Sequence, residues 1–332
     1  MELSHRTEVG EAGTVSDQGN TSVPGWSRSK GWGWVWGDED EIGALNALTP
    51  VAVVDALSHV SEGRIFDLGI TIDRGSFYWS GHVGTEVVAF RTPEGILRHK
   101  DLGLEDPEGE SFHTSMVILS DHSGTQIDAL SHATFGPDRH WYNGFTVEQW
   151  TGDFGPKRAG AENIPPIIVT GVLIDLPGHL GLDELEPSFA AGPGALEAAL
   201  EAQRVDIQPG EAVFIRTGAL RHWGMYGEDH ARIEQAMTAG ITLEAARWLV
   251  EEKGAVLVAS DTTTVEVVPA VDGDVPQPVH KYLLVDQGVN MGELHNLEEL
   301  ADAGVYRFCY IALAPKVRGT TAGFAMRPIA VV

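Results

Sequence analysis

The segment DHSGTQIDALSH, residues 121–132, places two histidines, a glutamine and two aspartates around a Gly-Thr pair. If its backbone is extended, His122, Gln126 and Asp128 point to one face, because even numbers of residues separate them. His132 follows Asp128 at the i+4 spacing of a helical turn. This geometry lets an imidazole, an amide oxygen and a carboxylate meet one divalent cation, with His132 alongside. The alternative is a polar turn in which Asp128 caps a helix.

A second polar cluster lies far downstream, in PVHKYLLVDQGVNMGEL. His280 and Glu293 flank an apolar stretch there that we predict to be helical. They offer the additional nitrogen and oxygen ligands that a cation site needs from distant parts of a sequence. The second cluster therefore favours a metal site over a solvated turn.

The pattern H-x-G-T-Q-x-D-x-x-x-H, from His122 to His132, resembles the H-x-G-T-H-x-D-x-x-x-H motif of the metal-dependent cyclase superfamily. Bacterial kynurenine formamidase and isatin hydrolase are better-known members, and this chain looks like the longer branch of the family. The resemblance covers nearly the whole chain after an N-terminal tail. The further segments that carry it are WGDEDEIGALNALTP, WYNG, DTTTVEVVP, PVHKYLL and the final RPIAVV.

The resemblance implies a fold and a set of roles. The expected fold is a compact single α/β domain with a mixed, barrel-like β-sheet flanked by helices, of the swivelling β/β/α type. Family members usually pair into dimers, so we expect a homo-oligomer, a dimer or higher, with the site near a subunit contact. His132 is expected to be the general acid and base, and Asp128 and Glu293 could bridge two ions. The implied ligand positions are His122, Asp128, His280 and Glu293.

The chain departs from the family motif at Gln126, where the family has a histidine. A neutral amide oxygen is a weaker and harder donor than an imidazole, so zinc should bind less tightly and manganese or magnesium should be better tolerated. We expect one or two divalent ions, manganese or zinc, per subunit, with Gln126 among the ligands. The loss of a nitrogen ligand leaves open a non-catalytic, metal-free binding protein that retains the fold.

These residues, together with the family that they resemble, predict a metal-dependent hydrolase of a small amide, with cyclic and aryl-linked amides included. A bound cation lowers the pKa of water from about 15.7 toward 7 and polarises the scissile carbonyl. His132 would take the water proton and pass it to the leaving nitrogen. Hydrolysis of a lactone or another ester is the alternative. The sequence has no G-x-S-x-G motif, and Cys309, in the strand-like FCYIAL, is predicted to be buried and inert.

Three segments supply candidates for substrate contact. The tryptophans of GWGWVWG could wall an aromatic pocket, although aromatic residues at this density also serve core or oligomer packing. Three residues that follow the histidine motif could contact substrate or form a packed loop. A histidine in RTGALRHWG could line the same pocket. The candidates are Trp34, Trp36, His140, Trp141, Tyr142 and His222.

The composition narrows the partners and the compartment. The 332 residues are 43% apolar, and 48 acidic against 22 basic residues give a net charge of −26. This charge repels phosphate backbones and anionic lipids, so we expect a small-molecule substrate and no nucleic-acid or membrane partner. A single cysteine excludes an intrachain disulfide and favours a reducing, cytoplasmic location. Residues 1–25 contain few large apolar side chains, which predicts a disordered tail before one domain at 26–332.

The elements that must position the site follow from capping signals and β-branched runs. Thr49 as N-cap, Pro50 at the first helical position and Gly63 beyond the end predict a helix at 50–61. Similar signals predict helices at 194–202, 243–253 and 297–303. Alternation with strands in the second half indicates α/β layering and a mixed sheet. The predicted strands are VGTEVVAF, SMVILS, IPPIIVTGVLIDL, EAVFIRTG, GAVLVASD and YRFCYIALAP.

Overall fold

Short strands rich in valine, isoleucine and alanine build the centre of this protein. The computed structural model describes residues 23–103, 108–223, 229–233, 237–271 and 275–332. Most of the predicted tail, 1–22, lies outside the described residues, whereas Val23 packs against the core. The strands are β1 (Ile65–Asp67), β2 (Glu86–Arg91), β3 (Thr114–Ile118), β4 (Gln126–Asp128), β5 (Thr151–Gly152), β6 (Gly155–Pro156), β7 (Ile167–Asp175), β8 (Ala190–Ala191), β9 (Ala212–Arg216), β10 (Gly240–Ile241), β11 (Leu257–Ser260), β12 (Asn290–Glu293), β13 (Arg307–Ala312), β14 (Ala322–Gly323) and β15 (Ile329–Val331).

Within the described residues, nine strands form one curled mixed sheet in the order β1-β15-β13-β7-β9-β11-β12-β4-β14. Strands β7, β9, β11 and β12 are parallel, and antiparallel neighbours extend the sheet on both sides. Every residue of β9 and β11 is buried, as expected for parallel strands that are covered on both faces. The predicted α/β domain with a mixed, barrel-like sheet is confirmed.

Several helices pack against this sheet, and the helices predicted from the sequence begin near their predicted first residues. Thr49 Oγ1 accepts a hydrogen bond from the Ala52 amide, as an N-cap does. The helix predicted at 243–253 changes to a π-helix at Trp248–Glu252, and a second π-helix, Lys281–Gln287, continues α8. The α-helices are α1 (Pro50–Ser58), α2 (Pro93–Arg98), α3 (Val147–Trp150), α4 (Leu176–Leu180), α5 (Pro193–Gln203), α6 (His230–Ile233), α7 (Leu243–Arg247), α8 (Pro278–His280) and α9 (Glu298–Asp302). Nowhere in the described chain is a helix both long and apolar enough to span a membrane.

The strands predicted at VGTEVVAF and SMVILS form a ribbon apart from the main sheet, in which β2 pairs antiparallel with β3. All five residues of β3 are exposed, so this ribbon adds little to the core. The ribbon leads directly to the site, because the chain passes from β3 into the 121–132 segment after only two residues. The expected homo-oligomer stays a prediction.

Candidate metal centre

The loop that carries His122 turns sharply before β4. Residues 121–125 form turns and bends rather than an extended backbone, so the assumption of extended geometry is wrong for this part of the motif. Gly124 has a φ of +69°, and a Cβ atom on it would lie 2.8 Å from a methyl carbon of Ile72. Both the left-handed backbone and the close approach require glycine here. The glycine of the motif thus shapes the loop that brings His122 to the centre.

Strand β4 presents two site residues on one face, and β12 supplies a third. Gln126 and Asp128 lie two apart in β4, and the antiparallel register pairs Gln126 with Glu293. Gln126 Nε2 donates a hydrogen bond to Glu293 Oε2 at 2.7 Å. The shared face of Gln126 and Asp128 is confirmed. Because Asp128 lies in a strand, it caps no helix, and the alternative interpretation of the motif as a cap is wrong.

Two histidines from other elements approach Asp128. The His132 amide donates to the Ala129 carbonyl at 3.0 Å, which closes a tight turn where we expected a helical one. The centroid of the His132 ring lies 4.1 Å from that of His122 and 6.0 Å from that of His280. His280 ends α8 and places its Nε2 3.9 Å from Asp128 Oδ2. Residues far apart in the sequence therefore converge on one carboxylate.

The centre contains buried acceptor oxygens that have no hydrogen-bond partner among the described residues. Both carboxylate oxygens of Asp128 and the Gln126 Oε1 are of this kind, although His122 Nδ1 lies 3.2 Å from Asp128 Oδ1 without the alignment of a hydrogen bond. A buried unsatisfied polar atom costs about 1–3 kcal/mol, and more when it is charged. A divalent cation satisfies carboxylate, amide and imidazole ligands together, so the residues present fit a metal ion. The ligand atoms fall into two groups, each within 4.8 Å of one another: His122, Asp128 and His132; and Asp128, His280 and Glu293.

The histidines of the centre differ in their protonation. Burial lowers the pKa of His132 to about 4. The neighbouring histidines lower it further and the charge of Asp128 raises it, but burial is the largest effect, so this ring is neutral at pH 7. Burial would also lower the pKa of His280, but hydrogen bonds to Glu266 and Glu293 outweigh it and raise the pKa to about 10. A metal ion bound by His280 replaces its proton, because a metal ligand must be deprotonated.

The two acidic residues of the centre lie close enough to influence each other. Burial raises the pKa of the Glu293 carboxyl, and the negative charge of Asp128 raises it further. Burial alone would raise the pKa of Asp128 as well, but His132 and His122 outweigh it and hold that pKa below its usual range. Asp128 is therefore the more acidic member of the pair, and a cation would stabilise the ionised form of both carboxyl groups.

Glu266, which holds His280 in place, had no role predicted from the sequence. Its carboxylate accepts hydrogen bonds from the Val279 amide at 3.1 Å and the His280 amide at 3.3 Å, and it contacts His280 Nδ1. The other ring nitrogen, Nε2, then faces Asp128 and Glu293 at 3.9 and 3.7 Å. Metal-binding histidines commonly make such a bond through the second nitrogen. DTTTVEVVP contains Glu266, but no spacing rule assigns it a partner.

Replacing Glu266 with glutamine is expected to weaken metal binding about 10–100-fold, as loss of a supporting hydrogen bond usually does. The amide still fits the space but cannot accept all three bonds as a charged group, so His280 is less firmly oriented. Titration of metal-stripped protein with Mn²⁺ in a calorimeter measures the change. Glu244→Gln, at an exposed site on α7, is the matched control. An unchanged dissociation constant in Glu266→Gln would show that Glu266 does not support the centre.

Four predicted substrate-contact residues occupy one region around the GWGWVWG segment. Trp34, 43% exposed, packs edge-on against His140 and Tyr142, with ring centroids 6.2 and 6.4 Å apart. Tyr142 is buried and donates from its hydroxyl to Asp40 Oδ2 at 2.6 Å. Trp141 is buried in the core. These contacts give Trp141 and Tyr142 structural roles, and contact with substrate stays a prediction for all four.

The other two candidates lie elsewhere. Trp36 is partly buried against the core, with its ring over Gly25. His222 makes a hydrogen bond with Glu184, and both line a cavity of about 500 Å³. Of the described residues that line this cavity, none belongs to the two ligand groups. A pocket shared by His222 and the aromatic residues stays a prediction.

Two aromatic neighbours of the centre were not predicted. The ring of His82 lies 5.2 Å from that of His122, and the ring of Trp79 lies 5.1 Å from that of His82. Trp79 is 62% exposed, so its indole offers an apolar surface beside the centre. Both residues belong to the irregular segment between β1 and β2, where no periodicity indicates which side chain turns inward. Only the tertiary contacts reveal them.

The fold is that of an α/β protein with a curled mixed sheet. This sheet brings a histidine motif to the buried Asp128, which forms a candidate metal centre. The Cyclase family model, described as "Putative cyclase", matches residues 66–267, more than half of the chain. The chain therefore belongs to the cyclase family, and the relationship predicted from the motif is confirmed. No curated protein has a significantly matching sequence.

Solved structures agree with this assignment. The crystal structure of a novel cyclase is 28% identical, has a TM-score of 0.78, and the match covers 90% of this chain and 96% of that one. Isatin hydrolase A from Ralstonia solanacearum is 17% identical with a TM-score of 0.61, covering 86% and 98%. Isatin hydrolase A from Labrenzia aggregata, bound to benzyl benzoate, is 20% identical with a TM-score of 0.58, covering 86% and 98%. At these identities the two isatin hydrolases show a shared fold.

Proposed function

We propose that this protein is a metal-dependent hydrolase that cleaves the C–N bond of a small amide. The observation that carries the proposal is the Asp128 carboxylate, which is fully buried and faces imidazole nitrogens, His122 Nδ1 at 3.2 Å and His280 Nε2 at 3.9 Å, without a well-aligned hydrogen bond among the described residues. The imidazoles of His122, His132 and His280 lower the pKa of this carboxyl group and so favour its charged form. A buried carboxylate in such surroundings is costly unless a cation accompanies it, so the arrangement favours metal binding over a passive scaffold.

The same residues define how the ion would be held and what it would supply. Asp128, His280 and Glu293 form the ligand group we propose, with Gln126 Oε1 as an additional ligand, whereas His122 belongs to the other group, with Asp128 and His132. When bound, a manganese or zinc ion lowers the pKa of a water molecule toward about 7 and polarises the substrate carbonyl. Oxygen ligands alongside imidazole suit either metal.

His132 is the residue that we propose for proton transfer. Its low pKa keeps the ring neutral at pH 7, so it has a lone pair available to accept a proton from the water whose oxygen bonds to the carbonyl carbon. Burial opposes the imidazolium that results and the charge of Asp128 favours it, so the ring can accept the proton and release it again. The proton then passes to the leaving nitrogen, and no covalent bond to the protein forms.

One structural neighbour guides the choice of an amide as the first substrate to test. One isatin hydrolase structure, 20% identical to this chain, contains the product analogue thioisatinate. Isatin is a cyclic aryl amide, and its hydrolysis breaks the ring C–N bond. This chain shares that fold and has a centre that fits a cation, so cyclic and aryl-linked amides are the first substrates to test.

Removal of the metal is expected to abolish hydrolysis. Purified protein is stripped with a chelator and assayed, before and after addition of Mn²⁺ or Zn²⁺, against formanilides, cyclic amides, carbamates and lactones. We expect the reloaded protein alone to cleave at least one amide, because without the cation both water and carbonyl lack activation. Lactone cleavage without amide cleavage would make the protein an esterase. Full activity in stripped protein, or no metal uptake, would contradict the metal-dependent class itself.

A further inference from the structure

Gln126 stands where the family motif has its second histidine, and its amide nitrogen contacts two of the predicted ligands. Nε2 donates to Glu293 Oε2 at 2.7 Å and lies 3.0 Å from His122 Nδ1. The residue is only 1% exposed, so water does not compete for these contacts. One amide group therefore joins a carboxylate and an imidazole that come from different parts of the chain.

The identity of the contacting atom follows from its partner. With the amide turned over, Oε1 would face the Glu293 carboxylate at hydrogen-bond distance, and two acceptors at that separation repel. The amide NH₂ group has two donors and no ligand lone pair, so it cannot bind a cation. It instead donates to Glu293 Oε2 and His122 Nδ1. His122 Nδ1 accepts because Nε2 carries the ring proton: Nε2 lies 3.0 Å from Thr321 Oγ1, which itself donates to Asp121 Oδ2. Gln126 Oε1 is left buried and without a partner.

A second metal ion that bridged His122 and Glu293 would need the lone pairs that the amide nitrogen engages. The NH₂ group, positive at its hydrogens, already joins these two electron-rich atoms. Other ligand atoms are not engaged in this way: Asp128 Oδ2 and Glu293 Oε1 lie 3.9 and 3.7 Å from His280 Nε2. The contacts of Gln126 thus leave one complete group of ligands, Asp128, His280 and Glu293, available to a cation.

We infer that the centre binds one divalent cation per chain, at Asp128, His280 and Glu293, and that the Gln126 amide takes the place of a second. The inference rests on the proposed metal-dependent function. It also keeps His132, a member of the other ligand group, free of metal and available for proton transfer. A histidine at position 126 would restore a nitrogen ligand and remove the two donors, which allows a second ion to bind.

The number of bound ions tests this inference without an assay of activity. Metal-stripped protein is equilibrated with Mn²⁺, dialysed and analysed for metal by mass spectrometry, and its electron paramagnetic resonance spectrum is recorded. We expect one Mn²⁺ per wild-type chain, with the hyperfine pattern of an isolated ion. Gln126→His should bind two, with the additional lines of exchange-coupled neighbours. Gln149→His, the same change at an exposed site on α3, should match the wild type.

The possible results separate this inference from the proposed function. Two coupled ions in the wild-type chain would overturn the one-ion centre but leave a metal-dependent hydrolase in place. No bound ion in the wild type would overturn both. One ion in a folded Gln126→His variant would show that Gln126 does not decide the number of ions. If that variant does not fold, the wild-type count and spectrum still decide whether the centre holds one ion.

Discussion

Replacing His132 with alanine is expected to lower kcat about 10²–10⁴-fold, the range that a general acid and base contributes, while the metal content stays at the wild-type level. The reason is that the proposed ion belongs to the group of Asp128, His280 and Glu293, which does not include His132. The neutral ring of His132 instead accepts the proton from water and passes it to the leaving nitrogen. Steady-state kinetics on the best amide substrate and elemental analysis of the same sample measure both quantities.

The controls for this variant distinguish an effect on kcat from an effect on metal content. His179→Ala removes an exposed imidazole on α4 and should change neither kcat nor metal content. Equal loss of activity and metal in His132→Ala would make His132 a ligand, in keeping with its place in the group with His122 and Asp128. A change of less than about tenfold in kcat, with metal retained, would exclude general acid–base catalysis by this residue.

Asp128→Asn should abolish metal binding, with a loss of affinity beyond the about 10–100-fold expected for a supporting residue. Asp128 is the one residue shared by both ligand groups, and asparagine has its size but not its charge. Wild-type protein should gain about 2.7 kcal/mol of stability when Mn²⁺ is at 100 times its dissociation constant. The variant should gain almost none. Thermal unfolding with and without Mn²⁺ measures this difference.

The matched control for Asp128→Asn is Asp153→Asn, at an exposed position, which should keep the full stabilisation by Mn²⁺. The amide substitution preserves the shape of the buried side chain, so failure to fold is less of a concern than with alanine. Full metal occupancy in Asp128→Asn by elemental analysis would show that the ion is held elsewhere. The ligand set proposed for the centre would then be wrong.

Local signals in the sequence predicted much of the secondary structure. The helix predicted at 50–61 is α1, and Thr49 caps it as expected. The helix at 194–202 is α5, Pro193–Gln203. Capping and the φ restriction of proline act over a few residues, so they can be found without knowledge of the fold. The first helix ends at Ser58 rather than at the predicted residue 61, and the change to a π-helix at Trp248–Glu252 was not predicted, because both depend on packing.

The motif identified the residues that converge, but not every contact between them. The spacing of Gln126 and Asp128 was sufficient to place them on one face, because strand geometry alternates. The same reasoning assumed an extended backbone at His122, where a glycine turn occurs instead. Glu266 and His82 were not assigned to the centre, because no local pattern links either to its partner. Their positions depend on how distant segments pack.

The sequence by itself determined the family of this protein, its local elements and the side chains able to hold a cation, because motif spacing, caps and side-chain chemistry are properties of short segments. Only the tertiary structure decided which atoms meet. Gln126 and Glu293 are 167 positions apart, and the pairing of β4 with β12 sets their contact. That register is fixed by burial in a sheet assembled from the whole chain, since a shift by one residue would turn these side chains to the opposite face.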